Sequence, residues 1–371
     1  MLERPIELLQ PRALRPGSGQ AAGLAAWLAE QGLTRPMVIS DSFNMTRLHL
    51  LGLADAPAHP VAPEPDTDDL NNAVQAARAA RPDAIIGFGG GSALDLAKLV
   101  AVMLGTDQPF DAISGPHRAP ARKVALVQVP TTAGTGSEAG TRALVTDPET
   151  KRKIATESAH MLADLAILDP DLTLTLPPAL TAATGIDALA HCVEAYTSRR
   201  AHPVIDAIVL QGIRLIGEHL PQAVRDGSDK GARAAMLLAS HYGGIGLGPV
   251  NTTAGHAVSY PLGTRHNLPH GLANALIFPH TLAVNAQSSP GKTANICAAL
   301  GIDARNADGI RAGALTFCAR LGLDMRLSAH GVPRDDLPAM ATEAYAIRRL
   351  LDHNPCDLSQ TDILALYYAA Y

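Results

Sequence analysis

Short apolar runs alternate with helical periods through the first half of the chain. The runs PMVIS (36–40), DAIIGFG (83–89), KVALVQVP (123–130) and ADLAILDP (163–170) are nearly continuous and bounded by Gly, Pro or Asp. That is the pattern of strands buried on both faces. Between them, apolar residues recur at helical spacing: Leu24, Trp27 and Leu28 behind a candidate cap at Ser18, then residues 67–80, then 92–104. Strand and helix in this alternation predict a mostly parallel sheet covered by helices. The rhythm stops at DPDLTLTLPPALTAATG, where the pair Pro177 and Pro178 suits a helix start. Beyond it, residues 179–198, 204–224, 233–246, 271–286, 307–321 and 337–350 all carry the helical period. VIDAIVLQGIRLIGEHL is apolar on most sides and is expected to be the central helix. The chain thus reads as an α/β domain (1–177) followed by an all-helical domain (178–371).

Composition narrows the class. The 371 residues are 47% apolar and 18% charged, with a net charge of −5, which suits a globular protein and no nucleic-acid partner. No positive head with an apolar run opens the chain, and no stretch of about twenty apolar residues could span a bilayer. The four cysteines (Cys192, Cys297, Cys318, Cys356) form no CxxC pair and are expected to be reduced thiols of a cytoplasmic protein.

Two loops carry candidate chemistry in the first domain. GFGGGSALDLAK (87–98) sets four glycines between a buried strand and a helix. Gly90, Gly91 and Ser92 would present N–H groups at a helix N-terminus, where a diphosphate is favoured; a plain strand-to-helix turn reads the same way. The spacing is neither GxGxxG nor GxxxxGK[ST]. VPTTAGTGSEAGTR (129–142) leaves another buried strand with several hydroxyls. Two such loops would flank one crevice at the carboxyl edge of the sheet. Asp41, just after PMVIS, could accept from a ribose 2′-hydroxyl and repel a 2′-phosphate, favouring NAD over NADP, or be a simple turn aspartate.

The second domain carries a different set. In GIDALAHCVEAY, Asp187 and His191 stand one helical turn apart, and His256, His266, His270 and His280 follow within 25 residues of one another. Asp187, His191, His256 and His270 make a divalent-metal set of one carboxylate and three imidazoles, though structural or surface histidines would leave the same trace. Glu194, a further turn along, reads as an ordinary helix-face carboxylate.

Taken in order, GGGSALDLAK, PTTAGTGSE, LTLPPALTAATGIDALAHCVEAY, the block from His256 to His270 ending PHGLANA, and Asn354–Pro355 resemble the iron-containing (group III) alcohol dehydrogenases, relatives in fold of glycerol dehydrogenase and dehydroquinate synthase. The likeness spans roughly residues 35–371. It implies a dinucleotide-binding α/β domain, an all-α metal-binding domain, NAD(H), and a divalent metal, with Fe2+ ahead of Zn2+. The implied ligands are Asp187, His191, His256 and His270. The implied cofactor contacts are Asp41, Gly89, Gly90, Gly91, Ser92, Asp95, Thr131, Thr132, Thr135, Ser137 and Lys153. Where many members have a second histidine near the nicotinamide, this chain has Tyr260, whose part in proton transfer is left open; His266 and His280 are alternative relays. The implied substrate is a small alcohol, aldehyde or hydroxyacid, and the implied assembly a homodimer or larger homo-oligomer. Two alternatives stay in view. One is a maleylacetate reductase-like ketoacid reductase, for which Arg142 or Arg265 could supply the cation. The other is a lyase of the dehydroquinate synthase type.

Overall fold

The computed structural model describes residues 4–150 and 152–371. The chain forms two compact units. One comprises residues 8–132 and 136–174; the other comprises the chain up to Glu7, residues 133–135 and residues 175–371. The main division falls between Leu174 and Thr175, beside the boundary expected near residue 177.

Among its described residues the first unit holds nine strands: β1 (Leu14–Pro16), β2 (Pro36–Ser40), β3 (Ala58–Pro60), β4 (Ala84–Gly89), β5 (Gly115–Pro116), β6 (Ala125–Pro130), β7 (Arg142–Thr146), β8 (Lys153–Glu157) and β9 (Leu165–Leu168). Its helices are α1 (Leu24–Glu30), α2 (Ser42–Met45), α3 (Thr67–Ala80), α4 (Gly91–Met103) and α5 (Phe110–Ile113). Six strands build one parallel sheet in the order β1-β9-β6-β4-β2-β3. Alternate side chains feed two cores. Met37, Ile39, Ile85 and Leu126 pack with α3 and α4, while Val38, Ile86, Phe88, Val127 and Val129 pack with Leu24, Trp27 and Leu28 of α1. Strand order reverses between β2 and β4, so the loops leaving these two strands face the switch-point crevice.

Two details of this unit differ from expectation. A short 3-10 turn, Gln20–Gly23, precedes α1, so Ser18 does not cap it; the Ser18 hydroxyl donates to Asp171 at 3.2 Å instead. Asp169 takes the capping part, accepting from the N–H groups of Gly19 (3.1 Å) and Ala21 (2.9 Å). The second sheet, β5-β8-β7, was not anticipated; β7 and β8 pair antiparallel with Arg142 opposite Glu157.

Among the described residues of the second unit the regular elements are helices: α6 (Pro178–Thr197), α7 (Pro203–Arg225), α8 (Lys230–Leu247), α9 (Ala254–His266), α10 (His270–Asn285), α11 (Pro290–Leu300), α12 (Ala307–Ala319), α13 (Leu337–Tyr345), α14 (Arg348–Leu351) and α15 (Gln360–Ala370), with short 3-10 turns between some of them. The expectation that α7 is central is corrected. Its buried residues, among them Ile205, Val209, Ile213, Ile216 and Leu220, follow one face, and its remaining apolar residues lie at half-buried or exposed positions. The central helix is α6, buried almost continuously from Thr181 to Thr197 and packed by α7, α8 and α10. Helix α9 was not read from the sequence, because it has no apolar stripe and carries Pro261. Its start is tied down from afar: fully buried Asn354 accepts from the Ala254 N–H at 3.4 Å and exchanges amide hydrogen bonds with Asn285 at 2.8 and 2.9 Å. No helix among the described residues is long and apolar enough to cross a membrane.

The α7–α11 crossing is close enough that a Cβ on Gly217 would collide with the Ala299 carbonyl oxygen, whereas a Cβ on Gly291 meets nothing within 4 Å. Gly217→Ala is expected to lower the midpoint of thermal unfolding, at a cost of about 1–3 kcal/mol. Gly291→Ala should leave the midpoint within about a degree or raise it. Equal melting of the two variants would show that α11 shifts without penalty.

Candidate active site

In the helical unit, α6 positions three acids and bases on one face by spacing alone. Asp187, His191 and Glu194 stand at i, i+4 and i+7, and all three are at least nine-tenths buried. Helix α9 brings His256, and the first turn of α10 brings His270. The ligand atoms of Asp187, His191, His256 and His270 lie within 4.8 Å of one another. Asp187 Oδ1 sits 3.9, 3.7 and 3.7 Å from the Nε2 atoms of His191, His256 and His270.

The protons in this cluster can be assigned from the hydrogen bonds. His191 Nδ1 faces the Gly134 carbonyl at 3.3 Å and must carry hydrogen there, which leaves Nε2 bare. His256 Nδ1 faces Glu194 Oε1 at 2.6 Å and donates to it. His256 Nε2 then meets the bare His191 Nε2 at 2.9 Å and donates to that as well. The electrostatics agree. Burial alone would raise the Asp187 carboxyl, but the three imidazoles, His191 foremost, hold it far below the usual carboxylate range. Burial pulls His191 down to about 4 against the pull of Asp187. His256 is also opposed by burial, yet Glu194 and Asp187 lift it to about 10.

Glu194 therefore departs from its expected role. It is not a helix-face carboxylate in solvent but a buried one, 6% exposed, that accepts from His256, from the Thr253 N–H and from the Thr253 hydroxyl at 3.0 Å. A side chain at Gly255 would collide with it. The i, i+4, i+7 spacing held the signal. Asn274 was missed too. It lies one turn after His270, and its amide nitrogen is 2.6 Å from Asp187 Oδ1 and 3.1 Å from the Nε2 atoms of both His256 and His270.

The other expected groups near the cluster fall as follows. The Tyr260 ring lies 6.5 Å from that of His256 and 6.1 Å from that of His270. His266 is bound to Asp336 at 2.7 Å. His280 is buried with neither ring nitrogen bonded, and burial draws its pKa down to about 4. Arg142 is paired with Glu157 at 2.8 Å, and Arg265 with Asp336 and, at 2.6 Å, with Glu343.

In the sheet unit, Asp41 follows β2 and caps α2, accepting from the Asn44 N–H at 2.9 Å and its amide at 2.7 Å. Asn44 also reaches the Thr131 hydroxyl at 3.2 Å, so the loops after β2 and β6 are tied together. After β4, Gly89 adopts φ 153°, and a Cβ there would lie 2.9 Å from Asp41 Oδ2; one on Gly90 would lie 3.3 Å from Thr132 Oγ1. These glycines keep open a cradle that side chains would fill. Gly90 caps α4 without a side chain, leaving the first-turn N–H groups of Gly91 and Ser92 for a ligand, while the Ser92 hydroxyl accepts from Glu64 N–H at 3.2 Å.

Asp95 and Ser137 are engaged inside the unit. The Ser137 hydroxyl donates to Asp95 at 2.5 Å, and buried Lys98 donates to Ser137 and to the Arg142 carbonyl, each at 2.8 Å. Burial raises the Asp95 pKa and lowers that of Lys98. Lys153 is ion-paired with Glu64. Thr135 belongs to the three-residue segment that counts with the helical unit.

The donor set suits a divalent ion: one carboxylate kept anionic, three imidazoles, and outer partners on Nδ1 of two of them. The profile of the iron-containing alcohol dehydrogenases matches residues 11–170, and that of the C-terminal part of the Fe-containing alcohol dehydrogenase family matches 181–371. The chain belongs to the iron-containing alcohol dehydrogenase family. Long-chain-alcohol dehydrogenase 1 of Geobacillus thermodenitrificans is 38% identical over 84% of this chain and 80% of its own length. Sulfoacetaldehyde reductase of Bilophila wadsworthia is 36% identical over 83% and 82%. The crystal structure of a 1,3-propanediol oxidoreductase superposes with a TM-score of 0.93 at 31% identity, over 99% of this chain and 100% of that one. As a member of the iron-containing alcohol dehydrogenases, the protein is an oxidoreductase acting on CH–OH groups, and Asp187, His191, His256 and His270 form a possible divalent-metal site.

Glu194→Gln keeps the shape of the Glu194 side chain but removes the charge that holds the His256 imidazole. Affinity for Zn(II), measured by competition with a chromogenic chelator, is expected to fall about 10- to 100-fold. Unchanged affinity in the folded variant would leave Glu194 a packing residue.

Proposed function

We propose that this enzyme interconverts a small primary or secondary alcohol and its aldehyde or ketone, with Asp187, His191, His256 and His270 as the metal ligands. The observation that carries this reading is the convergence of the cluster: one ligand atom from each of Asp187, His191, His256 and His270 lies within 4.8 Å of the others, with Gly134 and Glu194 on the outward nitrogens of His191 and His256. When bound there, a divalent ion such as Fe2+ or Zn2+ supplies Lewis acidity toward an alcohol or carbonyl oxygen, and NAD(H) supplies or accepts the hydride. The chain's own part is positional. Asn274 donates to Asp187 and so fixes which carboxylate oxygen faces the imidazoles. Gly89, Gly90, Gly91 and Ser92 receive a diphosphate, and Asp41 accepts from the ribose 2′-hydroxyl and repels a 2′-phosphate. Thr131, Thr132 and Thr135 line the second cofactor loop. Asp95, Ser137 and Lys98 hold one another at that loop, and Lys153 is ion-paired with Glu64, whose N–H donates to the Ser92 hydroxyl. A homodimer or larger assembly in the cytoplasm completes the reading; the free state of all four cysteines agrees with a reducing compartment.

A ketoacid reductase of the maleylacetate type is disfavoured by the complete four-ligand set. It also finds neither Arg142 nor Arg265 available as the expected cation, since both are paired with carboxylates. A cyclase that recycles NAD would consume substrate without net change in NADH.

Purified protein loaded with Fe(II) or Zn(II) is expected to oxidise NADH with short aldehydes, and His270→Ala to lose about a hundredfold or more in kcat/KM. Full turnover by His270→Ala after chelation would sink the metal assignment. Separately, the wild type should favour NADH over NADPH, and Asp41→Gly should shift that ratio toward NADPH by about tenfold or more. A wild type that prefers NADPH overturns the Asp41 assignment alone.

A further inference from the structure

The face of α6 that carries Glu194 also carries Ala190 and Thr197, and it meets a face of α10 that carries Asn274, Thr281 and Asn285. Where these faces meet they border a cavity of about 10 Å³, room for one water molecule. Two residues of its wall also touch the histidine cluster. Glu194 accepts from His256 Nδ1 at 2.6 Å, and the Asn274 amide nitrogen donates to Asp187 Oδ1 at 2.6 Å.

One atom of Asn274 is left unanswered. A carboxylate only accepts, so the end of the amide at Asp187 is the nitrogen, and Oδ1 is the other end. That oxygen is buried and accepts from no protein group, in a residue 2% exposed. Native interiors rarely leave an acceptor in that state, and ordered water is the usual remedy. The rest of the wall suits the same guest. Glu194 Oε1 accepts one hydrogen bond, from His256, and has a second lone pair open. The Thr281 hydroxyl is shared at long range between two carbonyls of its own helix, Ile277 at 3.3 Å and Phe278 at 3.2 Å, and can turn from them toward the cavity. A guest must therefore bring two donors on a single heavy atom and accept one bond in return. Water does this.

We propose that this cavity is a binding site for one structural water, which donates to Asn274 Oδ1 and Glu194 Oε1. Asn274 is then fixed at both ends, by Asp187 at its nitrogen and by the water at its oxygen. The supports of Asp187 and His256 become one connected set running through Asn274, the water and Glu194. The water site stands on the cavity and the orphaned oxygen. Its effect on metal binding rests on the four-ligand reading above.

A high-resolution crystal structure is expected to show one water peak within about 3.2 Å of both Asn274 Oδ1 and Glu194 Oε1. Ala190→Val, which fills the cavity with apolar atoms, should lose that peak and bind Zn(II) about tenfold more weakly in competition with a chromogenic chelator. Ala190→Ser, whose hydroxyl can stand in for the water, should bind Zn(II) nearly as the wild type does. If Ala190→Val does not fold, Thr281→Val, which removes one partner of the water at almost the same shape, is expected to weaken Zn(II) binding in the same direction. A wild-type cavity without density overturns the site. A water peak with unchanged Zn(II) affinity in the folded variants overturns its link to the ligands. A wild type that holds the water but binds no Zn(II) overturns the four-ligand reading instead.

Discussion

Three imidazoles around a buried carboxylate leave little freedom in where protons can sit. Asp187 is 2% exposed, and a bare charge at that depth is costly unless its neighbours answer it. His191 cannot answer as a cation, because burial keeps it neutral and its Nδ1 hydrogen is spent on Gly134. Without a metal ion the charge falls to His256, whose protonation a second buried carboxylate, Glu194, favours from behind; an ion held at Nε2 would take the place of that proton. Glu194 is in turn tolerated because the Thr253 backbone and hydroxyl donate to it. Each buried charge thus has its partner in the next, and the chain of partners ends at the N-terminus of α9, where backbone N–H groups would otherwise be unsatisfied. The site and the folding of α9 are parts of one arrangement.

The sheet unit applies the same economy to its loops. Asp95, Lys98 and Ser137 form a closed set beneath the second loop, and Asn44 joins Asp41 to Thr131 across the ends of β2 and β6. Loop backbones held in this way are pre-organised, so a nucleotide need not order them on arrival.

Much of this was legible in the sequence. Four of the six strands of the parallel sheet are short, dense apolar runs, whereas the edge strands β1 and β3 have three residues each and no such run; α3 starts and stops where its pattern does, with Asp66 and Asp69 forming a capping box. Of the four candidate ligands, Asp187 and His191 stood out by their helical spacing, whereas His256 and His270 stood out by a histidine-dense block and the family resemblance. What escaped depends on partners far along the chain. Helix α9 has no apolar face of its own and is fixed by Asn354, a hundred residues on. The β7–β8 hairpin alternates buried and half-buried residues too weakly to mark a strand. Helix α7 looked central because its exposed side carries Val204 and other apolar groups. Glu194 was misjudged for the opposite reason: a glutamate is rarely buried, and nothing in its own helix announces the imidazole that pairs with it.

The small segment 133–135 has a consequence for how such a protein can be cut or recombined. The chain passes between the two units four times, after residues 7, 132, 135 and 174, so neither unit is one continuous stretch. A gene fragment beginning at residue 175 would encode all four proposed ligands yet omit the Gly134 carbonyl that faces His191 Nδ1. Exchange of the helical half between relatives at that natural-looking boundary would therefore carry the ligands away from one of their supports. The loop has to travel with them, although by sequence it belongs to the other half.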